Sequence, residues 1–438
     1  MCPGGRIIRE MSTLNPRPRP RPDVLRRRIP SYSDLRPLMR LAPPPVTTAE
    51  RLRRTADLWD LRRMAKRGTP KAPFDYVDGA AESEVSIGRA RDAFRSVEFQ
   101  PEVMRDVTSA STAVEVLGRP MSMPLAIAPT GFTRMMRSEG EYAGVAAAAD
   151  AGIPFTLSTM GTASLAQLRE HAPEADLWFQ LYVTRDRAMS EDLVAQAREQ
   201  GAGVLMVTVD TNIAGARLRD VRNGMTIPPA LTARTIVDAA YRPNWWFNFL
   251  THGPLEFAAL SNFDGTPGEL VNEMFDPSLS WADLEWVRGM WDGPLLVKGV
   301  QSVVDARRAV EHGADGVIVS NHGGRQLDRA PVPLHLLPRV RAALGPDAVI
   351  GLDTGIMNGA DIAVARALGA DFTMIGRAYL YGLMAGGQAG VARALELLRE
   401  EMLRTCRLIG VADVADLGPR HVRLPGVADA AEPDAAAD

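Results

Sequence analysis

Two cysteines occur in the 438 residues, Cys2 and Cys406, far apart and in no CxxC pair. This argues against a disulfide framework or a cysteine zinc site, and a reducing compartment is expected. Histidine is scarce as well, at six, and aromatic residues make up only 6% of the chain. No apolar run reaches the roughly 18 residues that a membrane span requires. MCPGGRIIREM at 1–11 has no apolar core of the secretory kind. The protein is therefore expected in the cytoplasm, with any membrane contact peripheral and on the inner face. A surplus of one charge is missing too: the formal net charge is -3 with 24% charged residues, which argues against nucleic-acid binding.

What is present is unevenly placed. Residues 1–50 hold ten arginines and four acids, against a net of -3 for the whole chain, so the remainder is acidic. PRPRPRPD at 16–23, RRR at 26–28 and PPP at 43–45 favour extended backbone. Residues 1–46 are accordingly expected to be a disordered basic arm, suited to anionic lipid or to a partner, and too biased in composition to form an internal cytochrome. The alanine-rich acidic end, 423–438, is expected to be a disordered tail. Between them lies a main domain at 47–422. Its Thr47-Thr48-Ala49-Glu50 has the form of a helix start, followed by Leu52, Leu58, Leu61 and Met64 at loosely helical spacing.

From about residue 120 one unit repeats: a short apolar run, a polar or glycine-bearing loop, then an alanine-rich helical pattern. The runs fall at 124–127, 154–157, 177–180, 204–207, 294–297, 316–319, 348–351 and 372–375. Alternating strands and helices imply a parallel sheet, and eight units close it. The predicted fold is an α/β (β/α)8 TIM barrel with an N-terminal helical segment. The spacing is broken once, after the fourth run, by a long insertion containing PNWWF at 243–247. Loops of that length usually carry function or form a cap.

The strand ends carry the chemistry. Pro129, Thr130 and Gly131 follow the first strand, Ser158 the second, Gln180 and Tyr182 the third, Thr208 and Asp210 the fourth, and Lys298 the fifth. His322 and Arg325 follow the sixth, Asp353 and Gly355 the seventh, Gly376 and Arg377 the eighth. Singly each has an ordinary explanation, such as a helix cap for Asp210; together they populate the face where barrel enzymes keep their sites. The glycine loops after strands seven and eight suit a phosphate. Lys298 is placed to compensate negative charge on a flat cofactor such as a reduced isoalloxazine. Arg217 and Arg325 would clamp a carboxylate, although charge pattern alone does not rank Arg217 against Arg219 and Arg222. His322 is the candidate base, oriented by Asp210. These parts describe oxidation of a 2-hydroxy acid.

SNHGGRQLD at 320–328, with FDYVDGAAE at 74–82, APTGF at 128–132, FQLY at 179–182, TVD at 208–210 and VKG at 297–299, resembles the FMN-dependent 2-hydroxy acid dehydrogenase and oxidase family. The resemblance spans roughly residues 47–422, and the insertion, with GMTIPPALT at 224–232 and FDPSLSW at 275–281, most resembles its bacterial L-lactate dehydrogenase branch. It implies FMN held by Pro129, Thr130, Gly131, Ser158, Gln180, Thr208, Lys298, Ser320, Asp353, Gly355, Gly376 and Arg377. It also implies His322 as catalytic base paired with Asp210, Arg325 and Arg217 as carboxylate binders, and Tyr76 and Tyr182 as hydrogen-bonding groups over the substrate. The implied reaction is oxidation of an L-2-hydroxy acid, foremost L-lactate to pyruvate, by a homotetramer that passes electrons to a quinone or other carrier. Alternatives are an oxidase using O2, a flavoenzyme acting on a peptide-derived redox cofactor precursor, and a flavin-binding barrel without turnover. Met160 falls where family members vary a pocket side chain, which suits a small aliphatic substrate. One departure stands out. Many members place an arginine against the phosphate where this chain has Met357, which shifts the expected contacts onto Arg377 and backbone amides.

Overall fold

The computed structural model describes residues 29–39, 45–224, 233–253, 258 and 274–425. PRPRPRPD, RRR, most of GMTIPPALT and the tail from Gly426 lie outside the described residues. The chain divides into two compact units, Met1–Val46 and Thr47–Asp438. In the first, the described residues include one helical turn, Tyr32–Leu35, closed by a capping box between Ser31 and Asp34.

The second unit is built on eight strands: Leu125–Ile127, Phe155–Ser158, Leu177–Leu181, Leu205–Thr208, Leu295–Val300, Gly316–Val319, Val349–Leu352 and Phe372–Ile375. They pair in parallel, each with its neighbour in chain order, and the eighth returns to the first to close the barrel. Every strand coincides with one of the apolar runs, so the (β/α)8 fold is as expected.

Side chains alternate across a strand, and here the alternation separates two cores. Leu177, Phe179, Leu205, Val207, Leu295, Val297, Val317 and Val319 point outward and pack under the helices. Trp178, Met206, Leu296, Ile318 and Phe372 point inward and fill the barrel, with Trp178 edge-on to Phe372 at 5.4 Å. Gly351 is small by necessity: a Cβ there would stand 2.7 Å from the Phe372 ring. The hairpin Val114–Val116 and Arg119–Met121 turns through Leu117 and Gly118, both at positive φ, and adds Val116 and Met121 to the interior cluster.

Two residues further along each strand, about 6.6 Å in rise, the same inward direction meets the barrel's carboxyl end. There the sequence changes from Trp178 to Gln180, Met206 to Thr208, Leu296 to Lys298, Ile318 to Ser320 and Gly351 to Asp353. The period that packs the core thus also delivers a ring of polar groups to the mouth.

Within the second unit four helices precede the barrel. Thr48–Arg53 starts at the expected capping box of Thr47 and Glu50, and Leu58–Gly68 has Asp57 as its own N-cap, so the loosely spaced leucines belong to two helices rather than one. Lys71–Asp78 and Val85–Ser96 follow. The last barrel helix, Arg377–Leu408, starts at Gly376 and is broken at Gly386 and Gly387. Of the insertion, the helices Leu218–Asn223, Ala233–Ala240 and Pro243–Thr251 are described.

Candidate active site

A cavity of about 470 Å³ opens at the carboxyl end of the barrel. Among the expected site residues, Tyr76, Pro129, Thr130, Gly131, Ser158, Tyr182, Thr208, Arg217, Lys298, His322, Arg325, Asp353, Gly355, Gly376 and Arg377 all line it. Gln180, Ser320 and Asp210 stand immediately behind, each bonded to a lining residue or aimed at one.

The sixth strand ends in a tight turn. His322 takes a left-handed backbone, φ 57°, followed by Gly323 and Gly324, also at positive φ. Histidine tolerates this region better than branched residues do. The turn is held without help from the imidazole: the His322 amide donates to Ser320 Oγ at 2.9 Å, and the Gly324 amide to Asn321 Oδ1 at 3.0 Å. The Gly323 amide reaches Thr354 Oγ1 at 3.0 Å, tying the loops after strands six and seven. The side chain is therefore free for chemistry. His322 Nδ1 lies 2.9 Å from Asp210 Oδ1, whose carboxylate is buried. This contact fixes the ring and leaves Nε2 as the atom available to the cavity. Gly299, at φ 101°, makes room for it, because a Cβ there would come within 2.6 Å of Asp210 Cγ.

Beside this dyad Lys298 Nζ pairs with Asp353 Oδ2 at 2.6 Å and donates to Ser320 Oγ at 3.2 Å. Burial pulls the ammonium down, but Asp353 and Asp210 outweigh it and hold Lys298 above its ordinary value. Burial likewise pushes Asp353 up, and Lys298 brings it below the usual carboxylate range. Lys298 is therefore a permanent cation at the mouth of the barrel.

Arg325 and Arg377 owe their positions to one helix end. The last carbonyls of Lys71–Asp78 have no partner within the helix. Arg325 donates to the Tyr76 and Gly79 carbonyls, and Arg377 to those of Val77 and Gly79, at 3.0 and 2.7 Å for the latter pair. Tyr76 lies between two cations, with Arg325 4.7 Å and Arg217 5.5 Å from its ring centroid. Among the described residues neither Arg325, Arg217 nor Arg377 forms an ion pair, and Arg217 Nε is buried without a partner. Burial, then the repulsion of Arg217, pulls Arg325 down to about 9. Burial also lowers Arg377. Half-buried cations without carboxylate partners are sites for anions. Tyr182, half-buried beside them, has its phenol pushed up by desolvation and by Asp210, so it faces the site as a hydrogen-bonding hydroxyl.

Two groups of residues had no signal in the sequence. Asp78 receives Arg62 at 2.6 Å, Arg219 at 3.0 Å and the Tyr381 hydroxyl at 2.8 Å, which anchors the segment carrying the carbonyls just described. Burial opposes the charge on Asp78, and Arg62 and Tyr381 keep it below the usual range. The same network separates the arginines that charge pattern could not rank: Arg219 is neutralised by Asp78 and Glu84, whereas Arg217 faces the cavity. Arg91 is the other. It comes from 264 residues upstream, bonds the Gly355 carbonyl and pairs with Asp361 at 2.6 Å. Asp361 in turn receives the Met357 amide at 2.8 Å. The loop that lacks an arginine at 357 is thus braced by one from another helix.

The residues present fit FMN. Gln180 Nε2 and Thr208 Oγ1 are buried and unpartnered at the mouth, as the polar edge of an isoalloxazine requires, and Lys298 stands with them. For the phosphate, Arg377 and the helix start at Gly376 provide a cation and amide donors, and a Cβ at Gly376 would meet only Thr130 Cγ2, at 3.6 Å.

Known proteins resemble this chain over most of its length. Residues 65–424 match the family model described as FMN-dependent dehydrogenase. A protein of Mycobacterium tuberculosis provisionally named L-lactate dehydrogenase is 55% identical over 400 residues, covering 91% of this chain and 97% of its own. The L-lactate dehydrogenase of Chromohalobacter salexigens is 41% identical over 366 residues, 82% of this chain and 93% of its own. Among solved structures, the monotopic membrane protein (S)-mandelate dehydrogenase superposes with a TM-score of 0.82 at 38% identity, covering 85% of this chain and all of that one. Sequence, fold and site together establish that this chain belongs to the FMN-dependent dehydrogenases that oxidise 2-hydroxy acids.

Proposed function

We propose that the protein oxidises L-lactate, or a closely similar small L-2-hydroxy acid, to the 2-oxo acid and passes the electrons to a quinone at the membrane. The observation that carries the reading is the pairing, in one cavity, of the His322–Asp210 dyad with the uncompensated arginines 217 and 325. The arginines bind the substrate carboxylate, which brings the adjacent carbon and its hydroxyl towards Nε2 of His322. Oxidation releases two electrons and two protons. His322 takes one proton, and Asp210 stabilises the imidazolium. FMN, when bound, would accept the two electrons together with the second proton, and the Lys298 ammonium is the group on this chain able to balance the single negative charge left there. Tyr76 and Tyr182 close over the substrate and hold its oxygens. The M. tuberculosis and C. salexigens relatives support lactate as substrate.

Anaerobic addition of L-lactate is expected to bleach the oxidised flavin spectrum, and a spectrum left unchanged across a panel of L-2-hydroxy acids would overturn the activity. Stopped-flow reoxidation of the reduced enzyme separates acceptors: rapid reaction with oxygen and none with a soluble quinone would reassign it as an oxidase.

Met160 supports a small substrate. It lines the cavity against Gly131, where a Cβ would come within 2.8 Å of the Met160 Cβ. Met160→Ala is expected to shift the ratio of kcat/KM for mandelate over lactate upward by about 10-fold or more, the scale of a few methylenes in an apolar pocket. An unaltered ratio would remove Met160 from specificity.

The helix Pro243–Thr251 supports peripheral attachment to the inner face of the cell membrane. Phe247 and Leu250 are 70% and 68% exposed, with Tyr241 beside them at 81%. Among the described residues no helix is long and apolar enough to cross a membrane. An interfacial helix of this kind would bring the enzyme to a membrane-dissolved quinone.

A further inference from the structure

The two halves of the site come from different loops. His322 and Arg325 follow the sixth strand, and Asp210 and Arg217 follow the fourth. Past Val209, whose amide donates to the Lys298 carbonyl at 2.9 Å, residues 211–217 form neither helix nor strand. Asn212, Ile213, Ala214 and Ala216 are exposed along this stretch. Backbone so open to solvent needs partners if it is to hold a guanidinium in place. One side chain supplies most of them. Gln326 Nε2 donates to the Asp210 carbonyl at 3.1 Å and to the Ile213 carbonyl at 2.9 Å, and Gln326 Oε1 accepts from the Gly215 amide at 3.1 Å. The Ala216 carbonyl accepts from the Glu82 amide at 2.7 Å.

The fit is close and specific to an amide. Two carbonyls and one N–H surround the end of the Gln326 side chain, a set that a carboxamide satisfies and a carboxylate, with no donor, does not. Gly215 passes so near that a Cβ there would collide with the Arg325 carbonyl and stand 2.8 Å from Gln326 Cα. Asp210 is gripped twice by the strand-six loop, its carboxylate by His322 and its carbonyl by Gln326. Gln326 itself is 8% exposed and is not among the described residues lining the active-site cavity, so it reaches the substrate only through others.

We infer that Gln326 is a positioning residue that locks the strand-four loop to the strand-six loop and so sets the gap between Arg217 and Arg325 in which the substrate carboxylate is held, which rests on the reading of this cavity as a 2-hydroxy acid site. The anchors decide where its loss is felt. Without Gln326, Asp210 keeps its bond to His322 and, through Val209, its place at the strand end. Arg217 lies two residues beyond the last Gln326 contact and follows the loop wherever it goes. Loss of the amide therefore falls on substrate binding rather than on proton transfer.

The test uses the FMN-loaded full chain and steady-state turnover of L-lactate. Gln326→Met, which keeps the length of the side chain and removes its amide, is compared with the parent, with Arg217→Met and with the double variant. Gln326→Met is expected to raise KM about 5- to 30-fold, the scale of one to two hydrogen bonds, and to change kcat by less than about 3-fold. Because Gln326 acts through Arg217, the double variant should lose no more kcat/KM than Arg217→Met alone. Gly215→Ala, which forces the same loops apart with the amide intact, should show the same rise in KM and the same lack of additivity. A lowered Tm with parental KM, a loss confined to kcat, or losses that multiply in the double variant overturn the positioning role. Failure of both Gln326→Met and Gly215→Ala to fold and hold flavin overturns it in favour of a purely structural one. The parent tests the underlying reading separately, since flavin left unbleached by every L-2-hydroxy acid removes the activity. Gln326 is then judged by oxalate, whose affinity, read from the rise in Tm, should fall about 5- to 30-fold in Gln326→Met. Equal protection of parent and variant overturns the inference.

Discussion

Replacing His322 by glutamine is expected to lower kcat by about 100- to 10,000-fold, the range attributed to a positioned general base, while the flavin stays bound. The expectation follows from how the turn is built. Its hydrogen bonds run through the His322 amide, Ser320 Oγ, Asn321 and Thr354, none of which needs the imidazole. A glutamine amide can still donate towards Asp210, so the buried carboxylate is not stranded, but it cannot accept a proton. Visible absorbance of the purified variant reads the flavin, and steady-state turnover of L-lactate reads the base. Near-parental turnover would remove His322 from the chemistry. Asp210→Asn supplies a second check. If the two residues act as a unit, the double variant costs little more than His322→Gln alone, whereas independent roles would multiply the losses.

The fold was legible because one physical signal, a short apolar run followed by a polar or glycine-bearing loop and a helical stretch, repeats eight times. The polar residues that follow each run located the site, and the structure supplies the reason: Leu296 and Lys298, or Ile318 and Ser320, are successive inward positions of one strand. Residues reached through the strand ends were therefore readable from sequence. Those that arrive from outside the barrel were not. Tyr76 looks like a buried aromatic at a helix end, and only family resemblance marked it. Its setting depends on the orphan carbonyls of that helix meeting Arg325 and Arg377, from loops some 250 and 300 residues away. Arg91 is an unremarkable charge on an amphipathic helix until the strand-seven loop folds against it. Met357 signalled a missing cation but said nothing of which residue braces the loop instead. Long-range pairing of this kind has no period, so pattern reading passes over it.

Arg325→Met is expected to lower kcat/KM for a 2-hydroxy acid by about 30- to 5,000-fold, corresponding to the 2–5 kcal/mol that removal of one partner from a buried charge pair costs. Arg325 is half-buried, repelled by Arg217, and without a carboxylate partner among the described residues. Its Nη1 is committed to the Tyr76 and Gly79 carbonyls. That leaves the other edge of the fork for the substrate carboxylate. Arg325→Lys separates charge from geometry: a lysine keeps the cation but offers no planar fork, so an intermediate loss, mainly in KM, is expected. Thermal stability provides a reading independent of turnover. A dicarboxylate such as oxalate, bound only by the folded protein, should raise the Tm of the parent by mass action and should not raise that of Arg325→Met. The methionine variant loses two carbonyl bonds but also sheds an uncompensated buried charge, so its Tm without ligand should lie close to the parental value. Unchanged KM in both variants, with oxalate protecting all three proteins alike, would move the carboxylate away from Arg325 and on to Arg217.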